Sequence, residues 1–262
     1  MRRLDLPVAA RIAIAAALLA PLGLWSAGHV VSDVGDGVNH HLTAHLVHAH
    51  PRMLLDSWSK PLFTLLSAPL ASLGFAGTVL FQSLVTLASA GALWHLGRRA
   101  GWRAPWIAPL LLYVAPGTWD ALLSGWTEPL FGLVLLAALG SLAAARWRLA
   151  YLLIGLLPFV RAEGWVLMVW WAMLALAARR PALLLPLAAG HVAYAIAGAL
   201  FVHHDPLWMF HENPYWLADR AYGHGGWTHF FIGYPTIAGL PAALATATAA
   251  VAVALRRAAS LR

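Results

Sequence analysis

Long apolar segments constrain this chain most, because 61% of its 262 residues are hydrophobic and only 10% are charged. Water-soluble domains carry roughly 25% charged residues, and a membrane-spanning helix needs about 20 predominantly apolar residues. We therefore predict an all-α, polytopic membrane protein with one transmembrane domain over residues 1–262. Residues 61–73 are apolar but begin with proline, which predicts a partly buried or re-entrant element. The eight predicted spans are residues 10–27, 75–97, 104–118, 126–145, 149–160, 164–178, 182–201 and 229–255.

Arginines are concentrated on one side of these spans. Cytoplasmic loops carry an excess of Arg and Lys, so this side and both termini are predicted to be cytoplasmic in a bacterial inner membrane. Nine of the ten acidic residues lie on the opposite face, mainly in outer loops 28–60 and 202–228. The net charge of +7 therefore indicates topology and not a nucleic-acid partner. The basic residues of the inner side, 13 of 17, are Arg2, Arg3, Arg11, Arg98, Arg99, Arg103, Arg146, Arg148, Arg179, Arg180, Arg256, Arg257 and Arg262.

An amphipathic segment follows Val38 in the first outer loop. Its apolar residues recur with helical spacing, which predicts a helix lying on the outer leaflet with that face towards lipid. His41, His45 and His48 form a neighbouring stripe with two interpretations: a zinc site of imidazole ligands, or a polar flank facing lipid headgroups. The second is favoured because no fourth ligand stands at a suitable spacing. The apolar face consists of Val38, Leu42, Leu46 and Ala49.

Asp36 stands between two glycines just beyond the first span, where the backbone can bend to present its carboxylate at the membrane surface. A carboxylate there can take a proton from an acceptor hydroxyl or bind a divalent cation, and Asp33 is the alternative for either role. Asp36 can equally be the N-cap of the helix that follows. The residues alone leave these interpretations open.

Further polar and aromatic residues on the predicted outer face suit substrate binding. Lys60, the single lysine, can hold a lipid phosphate as a point charge, with snorkelling as the alternative. Glu128 begins a span, where acids usually face a cavity or a partner; Arg161 and Glu163 share a turn and can simply pair. The aromatic-rich last outer loop suits sugar rings, or forms a membrane aromatic belt. The remaining candidates are Trp58, beside the lysine, and Tyr222 and His224 of the last loop.

Four short motifs, in their order and sidedness, resemble the GT-C superfamily of integral-membrane glycosyltransferases. The similarity is to the branch that uses polyprenyl-phosphate sugars, including protein mannosyltransferases and aminoarabinose transferases, and it extends from residue 1 to about residue 235. The motifs are Asp36 followed eight residues later by Ala44, the W-x-K-P-L segment from Trp58, the TEPLF segment around Glu128, and the RAEG turn from Arg161.

The resemblance implies inverting transfer of a sugar from a polyprenyl-phosphate carrier to a lipid, glycan or protein acceptor on the outer face. Asp36, or Asp33 in its place, would activate the acceptor hydroxyl, and Lys60 would hold the carrier phosphate. Many family members use a divalent cation, Mg²⁺ or Mn²⁺. The resemblance would then have Glu128, Arg161 and Glu163 line the cavity. The residues themselves offer Asp33, Asp36, His41 and His45 as candidate metal ligands.

The chain departs from the family pattern at two points. Members often have a second acid directly after the first-loop Asp, where this chain has Gly37. Members are also usually longer, so a partner subunit that replaces a C-terminal region is expected, alongside a minimal enzyme or an inactive homologue. Two alternatives to a transferase remain: a non-catalytic protein that binds or moves a polyprenyl lipid, and an outer-face zinc-binding protein.

Overall fold

The computed structural model of the protein describes residues 8–28 and 35–212, together with scattered positions between 228 and 248. These residues form helices and turns with no β-strand, which confirms the all-α prediction for this part of the chain. Its helices are α1 (Val8–Ser26), α2 (Asp36–Leu46), α3 (Pro61–Ala71), α4 (Phe75–Arg99), α5 (Ile107–Val114), α6 (Pro116–Leu122), α7 (Glu128–Ala143), α8 (Trp147–Leu156), α9 (Gly164–Ala177), α10 (Leu184–Gly198) and α11 (Trp208–His211).

Most predicted spans correspond to one helix each, but the predicted span 104–118 is wrong as a single element. It is divided into α5 and α6, because Ala115 is extended (φ −67°, ψ 124°) and Pro116 begins the next helix. A residue before proline avoids the helical region, so the break follows from the sequence. The apolar element that begins at Pro61 is α3. Most of the predicted span 229–255 lies outside the described residues.

Two described helical stretches, Phe75–Arg99 and Pro181–His203, are long and apolar enough to cross a membrane. Shorter apolar helices accompany them, and their outward faces expose large apolar side chains. Val166 on α9 is 72% exposed and Leu185 on α10 is 75% exposed. Extended apolar surface of this kind mostly marks contact with lipid or a partner. These features support membrane association.

The helices pack in a series in which α4 contacts α1, α3 and α7, while α8 lies between α7 and α10. Small residues set the closest approach. A Cβ added at Gly155 on α8 would lie 2.1 Å from the carbonyl oxygen of Leu187 on α10. Helix packing within membranes relies on such small residues, which let backbones come together. The core between these helices includes Phe63, Phe81 and Ile154.

The two ends of this helix assembly differ in charge. At one end, the turns after α7 and α9 lie together, with the Arg180 guanidinium 4.7 Å from the ring centroid of Trp147. The other end brings together α2, the start of α3, the start of α7, the turn 157–163 and the segment 199–212. The candidate site residues that the structure describes lie at this second end, whereas the arginine turns lie at the first.

Candidate functional site

A cavity of about 720 Å³ opens at the second end, between α2, the segment before α3 and the π-helical turn Ala199–His203. Asp36, Trp58 and Lys60, three candidates chosen from sequence, all line it. Its volume falls within the range of small-molecule pockets, roughly 300–1,000 Å³. Its other polar lining residues are Asn39, His40, Thr43, Arg52, Asp56, Ser59, Thr64 and His203.

Lys60 is placed in this cavity by a tight turn centred on Asp56. The Trp58 backbone N–H donates to Asp56 Oδ1 (2.8 Å), and the Ser59 N–H donates to the Asp56 carbonyl (3.0 Å). Pro61 then starts α3, a favoured first helical position for proline. The Lys60 side chain is only 9% exposed, and its Nζ lies 5.8 Å from the centroid of the Trp58 ring. A cation is therefore held inside the cavity wall and not extended into solvent.

Asp36 is the first residue of α2 and is exposed towards the same cavity. Gly35 occupies the N-cap position, and no side-chain hydrogen bond caps this helix. The N-cap interpretation of Asp36 is therefore wrong. Asp36 therefore presents its side chain towards the cavity from the first turn of α2.

The loop between α6 and α7 fixes the start of α2. Buried Gln82 donates from Nε2 to the carbonyls of Ser124 and Trp126, and the His40 ring, protonated at Nδ1, donates to the Gly125 carbonyl (3.2 Å). A Cβ added at Gly125 would lie 2.0 Å from the Gly37 carbonyl oxygen. Gly37 is buried in this contact, so an acidic side chain there would have to be buried as well.

Arg161 joins two of the acidic candidates into one cluster. Its guanidinium is 2.6 Å from Glu128 Oε1, and it donates twice to Glu163, from Nε (3.1 Å) and from a terminal nitrogen (2.8 Å). Thr127 Oγ1 lies 3.5 Å from Arg161. These three residues are not among those that line the main cavity; Glu128 borders a separate, mostly apolar groove between α4, α6 and α7, and a role of the three in substrate binding stays a prediction.

The RAEG turn owes its shape to its glycine. A Cβ added at Gly164 would lie 2.4 Å from the backbone of Leu157 and Pro158, so only glycine lets the chain reverse so tightly into α9. This reversal places Arg161 opposite the start of α7.

Electrostatic effects connect this cluster with the main cavity. Burial lowers the pKa of His40 below its usual 6.5, and Lys60 and Arg161 lower it further, whereas Asp36 opposes the shift. For Glu163, burial raises the pKa, but hydrogen bonding to Arg161 and the charges of Arg161 and Lys60 outweigh that effect, so the pKa lies below 4.5. His40 is therefore held neutral and Glu163 charged near neutral pH.

The histidine stripe has a packing role. His41 Nδ1 is hydrogen-bonded to Thr78 Oγ1 on α4 (2.8 Å), and His45 Nδ1 donates to the Ala71 carbonyl at the end of α3 (3.0 Å). The neighbouring apolar face, with Val38, Leu42 and Leu46, is exposed as expected for a helix on a lipid surface. Among the described residues, no group of three or more His, Cys, Asp or Glu is placed to hold a metal ion. Zinc and divalent-cation binding stay predictions.

A second cavity, of about 390 Å³, shares Asp56, Ser59 and Lys60 with the first. Sequence reasoning missed its aromatic residues, which come from the turn after α8, from α9, from α10 and from α11. The signal that could have found Trp208 is the clustering of Trp and His in the last outer loop, together with Gly198, against which its indole packs.

Three sequence candidates, Asp33, Tyr222 and His224, lie outside the described residues. Comparison of the chain with protein-family models, with curated proteins and with solved structures finds no match. The similarity to GT-C glycosyltransferases therefore remains a resemblance carried by the motifs.

Proposed function

We propose that this protein is a membrane glycosyltransferase that moves a sugar from a polyprenyl-phosphate carrier to an acceptor hydroxyl. In this proposal the chain crosses a bacterial inner membrane eight times, its arginine turns face the cytoplasm and its two cavities open on the outer face. The observation that carries the proposal is that Asp36 and the buried Lys60 line one cavity. A base and a phosphate-binding cation are the two groups that displacement at a phosphorylated anomeric carbon requires.

The proposed reaction is a single inverting displacement. The acceptor oxygen bonds to the anomeric carbon while the bond from that carbon to the phosphate oxygen breaks. Asp36 takes the proton of the acceptor hydroxyl, and the departing polyprenyl phosphate keeps the bonding electron pair. Lys60 offsets the charge that develops on the phosphate, as pre-positioned cations do at phosphoryl groups. His40, which lines the same cavity and is held neutral, adds no competing charge.

The test is sugar release by the purified protein from a panel of polyprenyl-phosphate sugars, compared between wild type and Asp36→Asn. General-base catalysis contributes about 10²–10⁴-fold, so we expect a loss of at least about 10²-fold in Asp36→Asn. Asp120→Asn is the matched control, because Asp120 is exposed on α6 and lines neither cavity. Assays with and without Mg²⁺ or Mn²⁺ test the divalent cation separately.

A non-catalytic carrier-binding protein is the second candidate, because a buried lysine at a cavity can hold a lipid phosphate without any base. Binding of polyprenyl phosphate with no turnover of any donor would select this function. Turnover that appears only after a second membrane protein is added would identify the partner subunit.

A further inference from the structure

His191 is the most unusual residue of the second cavity. It lies on α10, is only 8% exposed, and neither ring nitrogen has a hydrogen-bond partner among the described residues. The backbone of Gly155 is close to the ring but not in hydrogen-bonding geometry. Buried polar atoms are nearly always satisfied. An unsatisfied imidazole that lines a cavity therefore points to a ligand that supplies the missing hydrogen bond.

Aromatic rings enclose this histidine. Phe159 stacks on His191 with a centroid distance of 4.4 Å, and Trp165 lies 4.3 Å away on a tilted plane. Tyr194 contacts Phe159 edge-on at 5.0 Å, and its hydroxyl donates to the Leu54 carbonyl (2.6 Å). The cavity is therefore lined by aromatic side chains and by one imidazole whose polar atoms are unused.

The position of the cavity relative to Lys60 adds a third constraint. Lys60, Asp56 and Ser59 belong to both cavities, so a phosphate held by the ammonium would lie at their junction. A group attached to that phosphate can enter the aromatic cavity, and Asp36 lines the other cavity.

Two other ligand classes fit less well. A prenyl chain would leave the buried imidazole nitrogens of His191 without partners, at the cost of an unsatisfied buried polar group. A cationic headgroup would suit the aromatic faces, but it would be repelled by the ammonium of Lys60. A polyhydroxylated ring satisfies both features, since its C–H face lies on aromatic rings and its hydroxyls donate and accept hydrogen bonds.

We propose that the second cavity binds the hexose or pentose ring of the lipid-phosphate sugar, with a ring hydroxyl hydrogen-bonded to His191. This inference rests on the proposed transferase function and names the subsite of its donor. His191 is a binding residue here and takes no part in proton transfer.

The test measures binding to the full chain in lipid nanodiscs. The probes are citronellyl phosphate and its esters with mannose, glucose and xylose, and the proteins are wild type, His191→Phe and His191→Gln. We expect at least one ester to bind wild type about fivefold to tenfold more tightly than citronellyl phosphate, as one added hydrogen bond would give. His191→Phe keeps the stacking and should abolish this preference while the affinity for citronellyl phosphate stays unchanged.

His191→Gln keeps a polar group and should restore part of the preference, which guards against a folding defect in the Phe variant. His95→Phe is the matched control, because His95 is exposed on α4 away from both cavities. The inference is overturned if no ester binds more tightly than citronellyl phosphate, or if His191→Phe weakens all probes equally. Sugar-dependent binding without turnover would uphold the subsite and overturn the transferase. Failure of every probe to bind would overturn both.

Discussion

Arg161 lies between two carboxylates, 2.6 Å from Glu128 at the start of α7 and 2.8 Å from Glu163 in its own turn. The ion pair with Glu163 is local, whereas the pair with Glu128 connects the turn after α8 to the preceding helix. The guanidinium is thereby fixed next to the cavity that contains Lys60 and cannot swing freely into it. Arg161 therefore contributes positive potential near the proposed phosphate position without being its principal ligand.

Removing the ion pair to Glu128 should have a small effect on stability. Glu128→Gln leaves Arg161 paired with Glu163, and both side chains of the lost pair are partly exposed, at 31% and 47%. Exposed pairs contribute about 0–1 kcal/mol, so we expect the free energy of unfolding to fall by less than about 1 kcal/mol. Denaturant unfolding in detergent measures it, with Glu163→Gln for comparison. A loss of several kcal/mol would show that the cluster of Arg161, Glu128 and Glu163 is needed for the stability of the fold.

Gly125 should tolerate no side chain. In Gly125→Ala the new Cβ would lie 2.0 Å from the Gly37 carbonyl, so α2 must move away from the loop before α7. Forcing extra atoms into a packed contact costs about 1–3 kcal/mol, and the shift displaces the adjacent Asp36. We expect a lower unfolding temperature and reduced sugar release.

Gly91→Ala on α4 is the control for this substitution, because nothing lies within 4 Å of its added Cβ. It replaces a mid-helix glycine and should be neutral or stabilising by about 0.5–1 kcal/mol. If Gly125→Ala is also neutral or stabilising, Gly37 and Gly125 are not in close contact in the folded protein.

The helices could be predicted because a continuous apolar stretch can be recognised from neighbouring residues alone. The resemblance implied that Asp36 and Lys60 act in one reaction, and both line one cavity in the structure. The partner of each side chain could not be predicted in this way. Glu128 meets Arg161, and His41 meets Thr78, only through the packing of distant helices. Periodicity identifies the face of a helix but not the neighbour that covers it.

Acidification should loosen the docking of α2. Burial lowers the pKa of His41 below 6.5, and the nearby His45 lowers it further. The folded state therefore favours the neutral ring, so the stability contribution of His41 is present above about pH 6.5 and is lost as the pH falls towards its folded pKa. We expect a lower unfolding temperature at about pH 5.5 than at about pH 7.5, and His41→Phe should show a smaller difference.

His48→Phe is the control for the pH experiment, since His48 on the same stripe is exposed. His40 titrates in the same direction, so part of the pH dependence should persist in His41→Phe. If the unfolding temperature of His41→Phe depends on pH as strongly as that of wild type, titration of His41 is not the cause. Equilibrium dialysis with zinc separates packing from metal binding: stoichiometric zinc that is lost in His41→Phe would favour the zinc-binding alternative.

Lys60 should determine the affinity for the carrier phosphate. It is the single lysine of the chain, is nearly buried, and lies at the junction of the two cavities. Hydrogen bonds to charged groups contribute about 1.5–3 kcal/mol, so Lys60→Met should weaken the binding of citronellyl phosphate by about tenfold or more. Lys60→Arg should retain part of the affinity, since the charge remains but its geometry differs. Arg103→Met removes an exposed charge at the opposite end and should bind as wild type does. Equal affinity in Lys60→Met and wild type would remove the phosphate-binding role, and with it the main support for a polyprenyl-phosphate substrate.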